Sequence, residues 1–196
     1  MASYDLAPVP VDLDTSSRWQ GPRPKLTWDA GAEVWPGLRY KVYVDNVEVG
    51  TTTKPSFTPT RSLAAGQRRW KVEVVDRRGQ SAMSAAEVLR IDAAPPKLAV
   101  KVSGAGLLTV RAQATEPSPP KASGLATLRI DFGDGSRAVA TSLAKLKASH
   151  QFPSRTVTMK VTATDKAGNV SMATYRVSSG RAKLVSRRAP GGLPAQ

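Results

Sequence analysis

Cysteine is absent from the 196 residues, and histidine occurs once, at His150. The first absence excludes disulfides, thiolate metal sites and cysteine nucleophiles. The second leaves any zinc site or serine-hydrolase triad a single histidine to work with. No apolar run is long enough to cross a membrane as a helix. Residues 1–20 lack the basic start and apolar stretch of a signal peptide. Acidic residues are scarce in one half only: residues 95–196 hold 16 Lys/Arg against 4 Asp/Glu, whereas residues 1–94 hold 13 against 11. Most of the net charge of +14 therefore falls in the second half. Such a field concentrates polyanions without naming one; nucleic acid, an anionic cell-wall polymer and acidic lipid are all compatible with it.

What the chain does contain points to strands and turns. Its 15 Gly and 15 Pro punctuate short stretches of alternating hydrophobicity. Tyr40, Val42 and Val44 alternate with Arg39, Lys41 and Tyr43; Trp70, Val72 and Val74 alternate with Lys71 and Glu73. Asp45-Asn46 separates two such runs, and both residues tolerate the positive φ of a two-residue hairpin. Leu98, Val100 and Val102, and later Val157, Met159, Val161 and Ala163, repeat the pattern in the second half.

The chain also repeats itself. Val72-Glu73-Val74-Val75-Asp76-Arg77-Arg78-Gly79-Gln80 aligns with Val161-Thr162-Ala163-Thr164-Asp165-Lys166-Ala167-Gly168-Asn169, an offset of 89 residues, 161 less 72. A period of that length is a domain, not a solenoid repeat. The expected fold is all-β, two tandem immunoglobulin-like antiparallel β-sandwiches. The expected divisions are an N-terminal linker over 1–14, a first sandwich over 15–92, a Pro-rich linker over 93–96, a second sandwich over 97–179, and a disordered basic tail over 180–196.

Two resemblances sharpen this. Leu26-Thr27-Trp28, the Tyr40-Lys41-Val42-Tyr43-Val44 strand, and Leu63 and Gly66 ahead of Trp70 resemble a fibronectin type III or related bacterial immunoglobulin-like domain. Here Trp70 stands one residue later than that family's tyrosine. Asp131-Phe132-Gly133-Asp134-Gly135, then His150-Gln151-Phe152, then Asp165 with Gly168-Asn169, resemble the polycystic-kidney-disease (PKD) domain; Ile130 replaces its usual aromatic. Both resemblances imply a non-catalytic module of a bacterial secreted or cell-surface protein, extracellular and monomeric, serving as spacer, presentation or adhesion unit. Joined by Pro95-Pro96, two closed cores would make a semi-rigid rod.

The candidate chemistry is thin. Asp131 and Asp134 could begin a calcium loop, but the further acids of that pattern are missing; backbone N–H acceptance in a Gly-rich turn explains them better. Asp76 and Asp165, each with Gly three residues on at Gly79 and Gly168, read as turn acceptors because they occupy one place in both repeats. His150 has no nucleophile-elbow context, and no convergent acid–base set is visible in the sequence. No catalytic residue, metal or cofactor is expected. The residues left for ligand contact are Trp35, whose ring could stack on a sugar, and a basic face of Lys145, Lys147, Arg155 and Lys160, with solvated strand edges as the plainer explanation. The expected partner is a protein or an anionic or carbohydrate polymer at the cell surface; nucleic acid is not expected.

Overall fold

The computed structural model describes residues 7–16, 18–30, 37–116, 122–141 and 143–188, and Trp35 lies outside them. The chain divides into two compact units, Met1–Ile91 and Asp92–Gln196. Among the described residues every regular element is a strand, and no helix is long and apolar enough to cross a membrane.

The first unit contains β1 (Trp19–Gln20), β2 (Leu26–Thr27), β3 (Arg39–Val44), β4 (Val47–Thr52), β5 (Ser56–Phe57), β6 (Gly66–Val75), β7 (Ser81–Met83) and β8 (Glu87–Ile91). One sheet runs β1-β8-β6-β3-β4 with β7 also on β6, and β2 pairs with β5 in the other. All pairings are antiparallel except β1 with β8, which is parallel. The β3–β4 hairpin turns through Asp45 (φ 50°) and Asn46 (φ 65°), the left-handed pair that matches the right-handed twist of its strands. Alternation puts Tyr40, Val42, Val44, Trp70, Val72 and Val74 in the core. Trp28 lies over them, with ring centroids 5.4 Å from Tyr40 and 6.4 Å from Trp70.

The second unit contains β9 (Lys97–Ala105), β10 (Leu107–Thr115), β11 (Leu125–Asp131), β12 (Arg137–Thr141), β13 (Lys145–Gln151), β14 (Val157–Asp165), β15 (Val170–Ser178) and β16 (Arg181–Arg188). A three-stranded sheet, β13-β10-β9, faces a five-stranded one, β12-β11-β14-β15-β16. Leu108, Val110, Ala112 and Ala114 from the first meet Leu128, Ile130, Met159, Val161, Ala173 and Val177 from the second in one core. Each strand contributes alternate residues to it, as the period-2 pattern requires.

Three boundaries differ from the sequence expectation. Residues 181–188 are not a disordered tail: they form β16, which adds to the edge of β15 and sends Ala182 against the core. This strand lacks hydrophobic alternation because only its backbone is needed to extend the sheet. Nor are residues 11–14 simply a linker. Val11 is buried, Leu13 bridges to Trp28, and the Asp14 N–H donates to the Thr27 carbonyl at 3.0 Å. Asp92 closes no strand of the first sandwich. Its carboxylate accepts the N–H groups of Ala94 (3.0 Å) and Ser123 (2.6 Å), both in the second unit.

Candidate functional site

The two copies of the repeat build the same turn. Asp76 Oδ1 accepts the N–H groups of Arg78 (2.8 Å) and Gln80 (2.9 Å); Asp165 Oδ1 accepts those of Ala167 (2.9 Å) and Asn169 (2.8 Å). Gly79 (φ 86°) and Gly168 (φ 88°) supply the left-handed residue of each. The second copy adds one connection: the Asn169 side-chain amide donates to Asp165 Oδ2 (2.8 Å) and to the Asp92 carbonyl (2.9 Å).

Asp131 to Gly135 turns between β11 and β12. Asp131 accepts the Gly133 N–H (3.0 Å) and pairs with Arg129 (3.0 Å). Asp131 therefore has partners within its own turn and strand. Phe132 points inward and stacks on His150, centroids 4.2 Å apart and planes 18° apart; Phe152 meets both rings edge-on. The motif residues of β13 and of the turn thus form one aromatic plug at the end of the core.

A serine, a histidine and an aspartate do converge here, which the sequence reading missed because Ser136 carries no signal of its own. The Ser136 hydroxyl donates to Asp134 Oδ1 (2.6 Å), and His150 Nε2 lies 2.5 Å from Asp134 Oδ2 and 3.3 Å from Ser136 Oγ. A hydrolytic triad needs serine and carboxylate on opposite ring nitrogens. Here both meet Nε2, and the hydroxyl proton is committed to the carboxylate. The arrangement ties a turn together and activates no nucleophile.

The Ser136 hydroxyl first, and His150 second, hold the Asp134 carboxyl well below the usual carboxylate range. A depressed folded-state pKa gives stability that is present above pH of about 4 and is lost as pH falls. Asp134→Asn is expected to cost roughly 1–3 kcal/mol at neutral pH and to flatten the acid limb of the second unit's stability, read by circular dichroism in urea. An unchanged acid limb would remove this network from the account.

The second polar cluster is buried. Carboxylate oxygens of Asp92, Glu116 and Asp165 lie within 4.8 Å of one another. Asp92 and Asp165 are almost wholly buried, and both have N–H donors. Both Glu116 oxygens are buried without a hydrogen-bond partner. Burial first, then the charges of Asp165 and Asp92, push the Glu116 carboxyl up to about 7. Burial raises Asp165 too, against the donors of Asn169 and Ala167. Oxygen donors of this kind suit a hard cation, and these three are the residues that could hold one. Glu116 carries no motif in the sequence that would single it out.

The expected basic face separates. Lys145 and Lys147 lie on β13, beside Lys101 of β9 and Arg111 of β10 on the outer face of the three-stranded sheet. Arg155 is exposed in the connection from β13 to β14, and Lys160 is exposed on β14 of the other sheet. Register, not sequence proximity, decides this grouping.

No family model matches the sequence, and no curated protein matches it. Several solved structures are similar in fold. The FN1–FN3 domains of chicken CNTN1 align over 89% of this chain and 68% of theirs, at 17% identity and a TM-score of 0.50. The fibronectin(III)-like modules of CbhA from Clostridium thermocellum align over 86% of this chain and 93% of theirs, at 12% identity and a TM-score of 0.49. With the paired sheets and alternating cores described above, the chain is an all-β protein of fibronectin type III-like, immunoglobulin-type sandwiches.

Proposed function

We propose that this chain is a non-catalytic structural and interaction module, of the spacer, presentation or adhesion kind, from a secreted or cell-surface bacterial protein. We assign its second unit to the PKD type. The observation that carries the reading is the fate of the polar residues of the repeat turns and of the Asp131–Gly135 turn: they are engaged in local bonds. Asp76, Asp131 and Asp165 hold backbone N–H groups, and Asp134, Ser136 and His150 close on a single ring nitrogen. The PKD assignment is supported by the left-handed Gly133 and Gly135 and by the plug of Phe132, His150 and Phe152. The extracellular placement is supported by fold likeness and motif resemblance.

Two measurements test this. Antibody against the purified chain should stain intact, unpermeabilised cells of the source organism; staining only after permeabilisation overturns the extracellular reading. The purified chain should turn over no ester or glycoside reporter. Hydrolysis that disappears in His150→Ala would show that the Asp134–Ser136–His150 cluster is catalytic after all.

A further inference from the structure

We propose that the outer face of the sheet formed by β13, β10 and β9 binds an acidic polysaccharide along its length. The inference rests on the interaction-module reading and names the partner class.

The three strands place cations abreast. Arg111 is the register partner of Lys147 on one side and of Lys101 on the other, so three positive side chains stand in one row across the sheet. Strands are about 4.8 Å apart, which sets the row at about 10 Å across. Lys145 stands two residues along from Lys147, about 7 Å away on the same face, beside Gln113. All four cations are exposed, and among the described residues no ion pair engages any of them. The three strands contain no Asp or Glu.

Like charges directly opposite one another destabilise a sheet, and the first unit shows the usual relief. There Lys41 faces Glu73 in register at 3.2 Å, and Tyr43 donates to the same carboxylate at 2.8 Å. The second unit leaves its row uncompensated, and Lys101, Arg111, Lys145 and Lys147 line a hollow of about 620 Å³. Its missing counter-charge is what a polyanion supplies.

The rest of the face narrows the polymer. Ser103, Thr109 and Ser149 form the next row, with Thr109 and Ser149 hydroxyls 2.9 Å apart, and Gln113 offers an amide. Hydroxyls and an amide beside cations suit sugar hydroxyls beside ring-borne carboxylate or sulfate. No Phe, Tyr or Trp lies on these strands, so the stacking platform of a single-stranded nucleic acid site is lacking.

The test uses the whole chain against polygalacturonate, dextran sulfate, neutral dextran and polyphosphate, by titration at rising salt. Two variants carry the same charge change: K101Q/R111Q/K147Q on the proposed face, and K160Q/R176Q/K183Q on the five-stranded sheet. Saturable binding to polygalacturonate or dextran sulfate, and none to neutral dextran, is expected; which of the two binds tighter distinguishes carboxylate from sulfate. The face variant should lose roughly tenfold or more at about 50 mM salt, and its slope of log affinity on log salt should fall by about two to three. The control variant should keep most of the affinity. The face variant should also melt no lower than the parent, because it relieves like-charge repulsion. Equal losses in both variants, polyphosphate binding as tight as the glycans, or no binding to either acidic glycan at low salt would overturn the proposal. Surface staining of cells is independent of these outcomes, so a failed glycan site and a failed module reading give different results.

Discussion

Gly133→Ala is expected to lower the stability of the second unit by roughly 2–4 kcal/mol, the largest effect of any single-methyl change proposed for this chain. Two penalties add. Gly133 has φ of 81°, which an L-residue adopts only at a cost. An added Cβ would also run into the backbone carbonyl of Thr158 on β14, which cannot swing aside as a side-chain tip can. Gly135→Ala in the same turn has φ of 104° but open space around its Cβ, so it carries the first penalty alone. The pair separates conformational strain from steric collision. All four tryptophans, at 19, 28, 35 and 70, belong to the first unit. Their fluorescence therefore reports the first unit, while calorimetry and circular dichroism report the loss in the second. Equal stability of the two variants would remove the collision from the explanation.

The second large effect concerns pH. Glu116 has its carboxyl pushed up to about 7, by burial first and by Asp165 and Asp92 next. In the unfolded chain it titrates in the ordinary range near about 4.3. A raised folded-state pKa gives stability that is complete below the unfolded value and is lost as pH rises through the folded one. The second unit is thus expected to weaken between about pH 4.5 and pH 7.5, by on the order of 2 kcal/mol once solvent screening of this partly exposed group is allowed for. Asp134 acts in the opposite sense and below that window, so the stability curve should peak at mildly acid pH. Glu116→Gln keeps the shape and removes the proton. It should flatten the upper limb and raise stability above neutrality, measured as urea midpoints across that range. A variant whose upper limb still slopes as the parent's does would show that Glu116 is not the group responsible.

These two sites differ in how far the sequence announces them. The Asp131–Gly135 turn and the repeated Asp76 and Asp165 turns were legible because their bonds close within four residues. A short side chain accepting nearby N–H groups, and a glycine where φ must be positive, are local facts. Strand positions were legible for the same kind of reason: alternation from Tyr40 to Val44 or from Val157 to Ala163 records which side of the strand meets the core. Glu116 gave no such signal. It follows the last residue of β10 and has polar and proline neighbours in the sequence, and only the meeting of that strand's end with Asp92 and the β14–β15 turn buries its oxygens. Ser136 was invisible likewise, since its partner His150 belongs to a later strand.

The sequence by itself determined that this protein is made of two β-sandwiches, where their hairpins and repeated aspartate turns fall, and that positive charge gathers in the second half. Each of these follows from periodicity, turn chemistry or simple counting. The tertiary structure decided the rest. It set Lys101, Arg111 and Lys147 abreast while moving Lys160 to the other sheet, paired the basic C-terminal segment as a strand, and closed three carboxylates into one buried cluster. Those features depend on strand register and on which edges meet, and backbone pairing between distant segments leaves no period in either one.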